Sequence, residues 1–193
     1  MGIVSFISTF ILFLFLYVVF APDDQGPKDT APTSEVNENN KYGRWTIHEY
    51  VNDFDESTGE KYLLQRSSNG SFSNSATTNS ELIGIILIDS KDIRIQLKEY
   101  GSSYAKDEEF ISFKVKKDDE IVDLGNLNYI NNQGYIRIVK AGSLMKLLLE
   151  GGDLKFYGNV NNGRSTYNFI MNGDHLKEAM EAIGIHDNMY KDN

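Results

Sequence analysis

Beyond residue 45 the chain alternates apolar and polar side chains with a period of two, the spacing of half-buried β-strands. In IRIQLKEY, at residues 93–100, isoleucine and leucine take every second position between charged or amide side chains. ISFKVKK, at residues 111–117, repeats this pattern. LIGIILI, at residues 82–88, is apolar at nearly every position, which is typical of a central strand covered on both faces. These patterns predict a mainly β domain.

Two short polar segments predict hairpins. DSKD, at residues 89–92, separates the apolar strand from the alternating strand that follows it, which indicates a tight turn. Asn162 and Gly163 stand between two further strand-like stretches, and both residue types tolerate the positive φ of a two-residue hairpin turn. We therefore predict an antiparallel hairpin at each place.

Two segments near the C-terminus break the alternation and predict short amphipathic helices. In SLMKLLLEGG, Ser143 is an N-cap candidate, leucines recur at helical spacing, and Gly151 follows the last turn. In DHLKEAMEAIG, Asp174 is the N-cap candidate and Gly184 is the stop signal. We expect the apolar stripes of both helices to cover the ends of the β core.

These patterns divide the chain into distinct parts. Residues 45–186 carry roughly eight to ten predicted strands and two helices, which indicates a single β-sandwich or barrel-like domain. We expect residues 187–193 to form a polar tail. Residues 22–44 hold all three prolines of the protein among Asp, Asn, Ser and Thr, so they cannot bury enough apolar surface to offset the entropy of ordering. We predict a disordered linker there.

The segment before the linker, residues 1–21, carries no charged side chain. At about 1.5 Å of rise per residue, a helix over residues 3–21 would reach about 28 Å, close to the thickness of a bilayer core. The competing interpretation is a cleaved secretory signal, because Val19 and Ala21 satisfy the small-residue rule for cleavage. However, no Lys or Arg precedes the run, and Pro22 would follow the cut directly. We predict an uncleaved, single-pass membrane anchor.

Composition narrows the chemistry. The formal net charge of -9 over 193 residues argues against nucleic acid as a partner, because phosphate binding needs a basic face. Since the chain has no cysteine, it can form no disulfide, thiolate nucleophile or cysteine-ligated metal site. The three histidines are scattered without metal-ligand spacing. The sequence therefore predicts no cofactor and no metal site.

One acidic segment, NDFDESTGEKY, has the beginning of a calcium-binding loop. Asp53, Asp55 and Ser57 alternate as calcium ligands do, but Thr58 and Leu64 stand where an EF-hand requires glycine and glutamate. We therefore expect a solvated β-turn.

Catalytic patterns are missing from the sequence. His48 falls in the strand-like stretch WTIHEYV, on the face opposite Trp45 and Ile47, which predicts an exposed strand histidine rather than a general base. No serine stands in a nucleophile-elbow pattern, and no Gly-rich loop joins a strand to a helix. We assign no catalytic residue.

Two blocks of the sequence carry a resemblance. WTIHEYVNDFDESTGEKYLL followed by GSFSNSATTNSEL, with LKEYG downstream, resembles a group of membrane-tethered or secreted proteins of Bacteroidetes-type bacteria that share a G-x-F-S-N-S-A-T-T-N-S block. The C-terminal order of helix, strand, hairpin and closing helix is similar, more loosely, to the extracytoplasmic β-sandwiches of invasion-associated locus B proteins. The cysteine pairs of that family are missing here. The resemblance implies an envelope protein with an extracytoplasmic domain.

We therefore predict a noncatalytic, membrane-tethered binding or assembly module of the bacterial cell envelope, with an envelope glycan or protein as its partner. The segment NGSFSNSATTNSEL, at residues 69–82, would supply hydroxyl and amide groups that act beside an aromatic ring. The predicted binding residues are Trp45, Phe72, Ser75, Thr77, Thr78 and Asn79. The structural alternative is that Asn69 and Gly70 close a hairpin in which residues 71–75 pair back on residues 61–65.

Two other functions stay open at this point. One is a sensor whose domain faces the cytoplasm, which the positive charges that follow the anchor favour. The other is an envelope hydrolase that uses carboxylates such as Asp53, Asp55 or Glu60.

Overall fold

A computed structural model describes most of the chain beyond the predicted linker, namely residues 41–67, 69–101, 103–104, 110–130, 134–160 and 164–192. The predicted anchor at residues 1–21 and the linker up to residue 40 lie outside the described residues. Within the described part, none of the helices has the length and apolarity needed to cross a bilayer.

The described residues form a mainly β structure with two short helices, as predicted. The strands are β1 (Thr46–Val51), β2 (Ser57–Arg66), β3 (Gly70–Ser73), β4 (Ser80–Asp89), β5 (Ile93–Glu99), β6 (Ser103–Tyr104), β7 (Ile111–Lys117), β8 (Glu120–Leu127), β9 (Tyr129–Ile130), β10 (Tyr135–Arg137), β11 (Asp153–Val160) and β12 (Ser165–Asn172). The helices are α1 (Ala141–Leu149) and α2 (Leu176–Ala182), followed by a 3₁₀ turn (Asp187–Met189).

The strands pair antiparallel in one open sheet of order β8-β7-β11-β12-β3-β4-β5-β10-β9. Strand β2 joins β1 to β4, and β6 pairs with β5. Strand β4 links two halves of the sheet, because its start pairs with β3 and its later residues pair with β2. We call the strands β1, β2, β4, β5, β6, β9 and β10 the A half, and β3, β7, β8, β11 and β12 the B half.

The two ends of the sheet are neighbours along the chain. Strand β8 pairs with β7 at one end and β9 pairs with β10 at the other, yet only Asn128 separates β8 from β9. Two residues of extended backbone span about 7 Å, so the end of β8 and the start of β9 lie close together although these strands stand at opposite ends of the strand order. Inward side chains of both halves, including Leu63, Ile86, Phe113 and Phe156, share one hydrophobic core.

The predicted strand patterns are confirmed. In β5 the isoleucine and leucine positions face the core, and in β7 Ile111, Phe113 and Val115 do so while the lysines face outward. Strand β4 is covered on both faces, since Ile85 and Leu87 are only 5% and 3% exposed on the side away from the core. A strand buried on both sides explains its nearly continuous apolar sequence.

Both predicted hairpins are present. Ile88 pairs with Ile93 across the turn at residues 89–92, and β11 pairs with β12 along its whole length. Residues 162–163, predicted to form the second turn, lie outside the described residues. The alternative pairing of residues 71–75 with 61–65 is wrong, because β3 pairs with β12 and β4 instead.

The helix stops were predicted correctly and the N-caps were not. Ser143 lies inside the first turn of α1, where its N–H donates to the Asp192 carboxylate at 2.9 Å. Helix α2 is preceded by His175 with a φ of 63°, while the carboxylate of Asp174 accepts the N–H of Gly152 at 2.7 Å. Carboxylates therefore cap chain segments that are distant in sequence, which local patterns do not reveal.

The domain extends beyond both predicted limits. Tyr42 packs against the core before residue 45, and Tyr190 is buried in it. The phenol of Tyr190 donates a hydrogen bond to the carbonyl oxygen of Asp89. The prediction of a polar tail at residues 187–193 is therefore wrong for the described residues up to 192.

Candidate functional site

The predicted binding segment between β3 and β4 is a loop that satisfies its own polar groups. The Asn74 side-chain oxygen accepts the N–H groups of Ala76 and Thr77 at 2.9 and 3.0 Å. The N–H of Asn79 donates to the Ser73 hydroxyl at 3.0 Å, and Asn79 takes a φ of 54°, a left-handed conformation that asparagine tolerates. These bonds fix the loop without any ligand.

The structure separates the polar and aromatic members of the predicted site. Trp45 is 3% exposed and Phe72 is completely buried, so in this conformation neither ring can reach a ligand. The indole N–H of Trp45 has no hydrogen-bond partner in the described part of the chain. The polar members lie in the loop, where Thr77 is half-buried and Ser75, Thr78 and Asn79 are exposed. Binding by the loop alone stays a prediction.

The acidic turn between β1 and β2 is exposed and is organised by Asn52. The side-chain oxygen of Asn52 accepts the N–H groups of Phe54 and Glu56 at 2.9 and 3.0 Å. Glu60, one of the carboxylates considered for hydrolysis, forms an exposed ion pair with Lys91 at 3.1 Å. Across the described ranges, no three His, Cys, Asp or Glu side chains lie close enough together to hold a metal ion.

The outer face of the A half carries a cluster of paired charges that we call the Arg94 network. The phenol of Tyr50 donates to Asp89 at 2.6 Å, and Arg94 forms an ion pair with the same carboxylate. The other oxygen of Asp89 accepts the N–H groups of Lys91 and Asp92 at 2.8 and 3.0 Å. The members of the network are Tyr50, Asp89, Asp92, Arg94, Tyr135 and Arg137.

The rest of the network surrounds the guanidinium of Arg94. Its Nε lies 2.8 Å from Asp92, and the other oxygen of Asp92 lies 2.7 Å from Nη2 of Arg137. The guanidinium also lies over the rings of Tyr50 and Tyr135, at 6.0 and 5.6 Å from their centroids. This network clamps the β4–β5 turn to β1 and β10.

The ionisation states of the network do not suit acid–base catalysis. Burial raises the pKa of Tyr50 well above 10, and the hydrogen bond to Asp89 adds to this effect. Burial alone would raise the pKa of Asp89, but the bonds from Tyr50, Lys91 and Asp92 and the charge of Arg94 lower it. Near pH 7, Asp89 is therefore ionised and Tyr50 is neutral. An efficient general acid or base has a pKa close to that pH, and neither group meets this condition.

His48 lies beside this network and differs from its prediction. It faces away from the core, as expected, but it is half-buried rather than exposed. Its ring stacks on Tyr62 with centroids 5.3 Å apart, and its Nε2 lies 2.8 Å from the Thr46 hydroxyl. These contacts give His48 a structural role on the sheet surface.

The outer face of the B half presents a different arrangement, which we call the lysine face. The strand register places Lys155 directly opposite Lys116, and Tyr157 opposite Lys114. On its other side Tyr157 lies opposite Asn168. The members of the lysine face are Ser71, Lys114, Lys116, Lys155, Tyr157, Asn168 and Ile170.

The charges of the lysine face are unpaired. Lys114, Lys116 and Lys155 are all exposed, and none has a carboxylate within 4.0 Å among the described residues. Two carboxylates lie nearby without reaching the ammonium groups: Asp123 is opposite Lys114 on β8 and accepts the N–H of Gly125 at 2.8 Å, and Asp153 accepts the Asn172 amide at 2.8 Å. The face is therefore locally cationic on a chain whose net charge is -9.

A surface depression of about 350 Å³ lies on the β3, β12 and β11 side of this face. Its lining combines a cation with amide, hydroxyl and aliphatic groups, supplied by Lys155, Asn69, Asn168, Ser71 and Ile170. Tyr157, next to Lys155 on the same face of β11, is 40% exposed. The lysine face thus offers charge, hydrogen-bonding groups and an aromatic ring in one place.

The sequence contained only part of the signal for this face. Alternation in ISFKVKK places Lys114 and Lys116 on the solvent side of a strand. It does not reveal that Lys155, Tyr157 and Asn168 become their neighbours, because that depends on which strands pair.

Comparison of the chain with protein-family models, with curated proteins and with solved structures found no significant match.

Proposed function

We propose that this chain is a noncatalytic, membrane-tethered binding or assembly module of the bacterial cell envelope, with its globular domain outside the cytoplasm. The observation that carries the proposal is the lysine face, where three exposed ammonium groups have no carboxylate partner among the described residues. Like charges directly opposite each other destabilise a sheet, so their presence favours a role in binding.

Tethering and location rest on the sequence. The uncharged residues 1–21 have the length of a bilayer-spanning helix, and the resemblance to tethered envelope proteins favours an extracytoplasmic domain. The tether would hold a β-sandwich-like body, which the core shared by the two halves of the sheet and the short connection between β8 and β9 support. Such a body presents broad outer faces to a partner.

The structural use of the ionisable groups in the Arg94 network supports a noncatalytic role. Asp89, the one buried carboxylate among the described residues, is used to hold strands together, and the pKa shifts of the network keep Asp89 charged and Tyr50 neutral. Asp53, Asp55 and Glu60, considered for hydrolysis, are exposed on or beside a turn. An exposed carboxylate without a neighbouring acid or base has little catalytic power.

The tether is tested on the full chain in bacterial cells. We expect the protein in the membrane fraction, with an intact N-terminus by mass spectrometry and with its domain digested when protease is added to spheroplasts. A mature chain that begins near Pro22 would show a cleaved signal. A domain that resists protease until the membrane is lysed would show that it faces the cytoplasm.

The binding role is tested by co-sedimentation of the detergent-solubilised full chain with purified envelope material. We expect the wild type to sediment and the triple variant Lys114→Gln, Lys116→Gln, Lys155→Gln to stay in solution. The matched control, Lys146→Gln, Lys177→Gln, Lys191→Gln, changes the net charge equally at exposed sites off the lysine face and should sediment like wild type. Equal sedimentation of both triple variants would overturn the assignment of binding to this face.

A further inference from the structure

We infer that the lysine face binds an acidic polysaccharide, with one sugar unit in the depression beside Lys155. This inference rests on the proposed binding role of the same face and adds the chemical class of the ligand. It requires recognition of two features of the polymer, namely its negative charges and its hydroxyl-rich sugar rings.

The spacing of the lysines suits an extended anion. Lys116 and Lys155 are directly opposed, which puts their Cβ atoms about 5 Å apart, and Lys114 lies about 7 Å further along β7. Lysine side chains are flexible, so the three ammonium groups on this flat face can adjust to contact successive negative charges along a polymer. An anion that binds here also relieves the repulsion between the two opposed lysines.

The charge of the rest of the molecule restricts where a polyanion can bind. The chain has 28 Asp and Glu against 19 Lys and Arg, so most of its surface repels negative charge. The described basic side chains at Lys61, Lys91 and Lys117 already have carboxylate partners. Lys146, Lys177 and Lys191 also lack a carboxylate within 4.0 Å among the described residues, but they lie outside the strands of the sheet. On the lysine face, by contrast, Lys116 and Lys155 are directly opposed on neighbouring strands, which concentrates positive charge in one place.

The neutral members of the face favour sugars over other polyanions. An exposed tyrosine offers an apolar ring surface with a polar hydroxyl, a combination that can pack on a sugar ring and hydrogen-bond it. Asn168 lies directly opposite Tyr157, and Ser71 lies opposite Asn168 on the next strand, so an amide and a hydroxyl line the depression on one side of that ring. A phosphate polymer or an anionic lipid surface would need the lysines but not these groups.

The ligand class is tested with the full chain in neutral-lipid nanodiscs and with polygalacturonate as the probe. We expect isothermal titration calorimetry to show binding that weakens as salt rises, because the contact is ionic. We expect no binding of neutral dextran. The triple Lys→Gln variant on the face should bind polygalacturonate at least tenfold more weakly, while the triple control at residues 146, 177 and 191 should bind like wild type.

A second pair of variants separates sugar recognition from charge. Tyr157→Ala and Asn168→Ala leave all three lysines in place, and we expect each to weaken polygalacturonate binding at least fivefold without changing any binding of polyphosphate. Thermal melts of the exposed-site variants should match wild type, which keeps a folding defect from imitating a binding defect.

Two results would overturn the inference. One is that polyphosphate or vesicles with anionic lipid bind as tightly as polygalacturonate and the Tyr157 and Asn168 variants have no effect. The other is that polygalacturonate does not bind. If the triple lysine variant nevertheless loses envelope co-sedimentation, the binding role stands and only the ligand class fails; if it keeps co-sedimentation, the proposed function fails as well.

Discussion

The outer faces of the two halves of the sheet hold charges under opposite conditions. On the A half, Arg94 lies against two carboxylates and over two tyrosine rings, and its side chain is largely buried. On the B half, Lys116 and Lys155 oppose each other in solvent, without a carboxylate within 4.0 Å in the described residues. Removing one partner of a buried ion pair destabilises the fold, whereas unpaired and exposed charges contribute little to stability and remain available to a partner.

The largest change in stability is expected when the Arg94 network is broken. Asp89→Asn removes the negative charge that Arg94 faces inside the network, and breaking a buried ion pair on one side costs about 3 kcal/mol of unfolding free energy. Urea unfolding followed by circular dichroism measures this loss. The matched control on the other half is Asp153→Asn, an exposed carboxylate that should change stability by no more than about 0.5 kcal/mol. Equal effects of the two changes would remove the distinction between the faces.

A smaller loss is expected from Tyr50→Phe, which deletes one hydrogen bond of the same network. Hydrogen bonds to a charged acceptor contribute about 1.5 to 3 kcal/mol. The unfolding free energy that Tyr50→Phe loses should therefore be no larger than the loss from Asp89→Asn in the same urea experiment.

The pH dependence of stability sharpens this prediction at the alkaline end. The folded chain holds the pKa of Tyr50 above the ordinary value of 10.0, so the unfolded chain releases that proton first. The stability that the neutral phenol contributes is therefore complete below pH 10 and is lost as the pH rises beyond it. Tyr50→Phe should lose less stability than wild type between pH 9 and 11. Parallel curves for the two proteins would contradict this role of Tyr50.

At the acid end the sign is reversed for Asp89. Its pKa is lowered in the folded chain, so the stability from its carboxylate is present above the ordinary value of 3.8 and is lost as the pH falls through the folded value. Asp89→Asn should flatten this part of the curve.

The loop between β3 and β4 should lose about 2 kcal/mol of stability at one position and no more than about 0.5 kcal/mol at others. Asn74→Ala removes the acceptor of two backbone N–H groups, and each such bond contributes about 1 kcal/mol. Ser75→Ala and Thr78→Ala change exposed side chains and should stay within about 0.5 kcal/mol. Thermal melts of the three variants test this order. If either of the exposed-site changes instead abolished envelope co-sedimentation, the loop would belong to the binding surface.

The smallest stability effect, with opposite sign, is expected on the lysine face. Lys155→Glu replaces a like-charged cross-strand pair with an opposite-charged pair, which should raise the unfolding free energy by roughly 0.5 kcal/mol at low salt. The same change should weaken binding to envelope material. A variant that is more stable and yet binds less would separate the two roles of charge in one molecule, whereas a destabilised variant would show that Lys155 supports the fold.

Local patterns predicted the features that depend on local geometry. Alternation identified the strands, apolar runs identified the covered strand β4, and turn residues identified both hairpins. The burial of Phe72 was also within reach, because Ser71 and Ser73 on either side of it face outward. The expectation that Phe72 would act beside the polar loop ignored that alternation.

Features that join distant segments could not be predicted from such patterns. Ser143 and Asp192 are 49 residues apart in sequence and form the cap of α1 only after the C-terminal segment has packed. The lysine face depends in the same way on the pairing of β7 with β11. A single sequence contains no statement of which strands become neighbours, so both the caps and the face required the structure.

Trp45 provides a built-in optical reporter. It is the chain's one tryptophan, it is 3% exposed, and its backbone N–H donates to the carbonyl of Tyr42 at 3.0 Å, just before β1. Its fluorescence should therefore be blue-shifted in the folded protein and move to longer wavelength when the first strand detaches. Since the lysine face lies on the other half of the sheet, a polysaccharide titration should leave this emission unchanged. One unlabelled sample can thus show whether a pull on the proposed tether loosens the first strand while the proposed polysaccharide ligand stays bound.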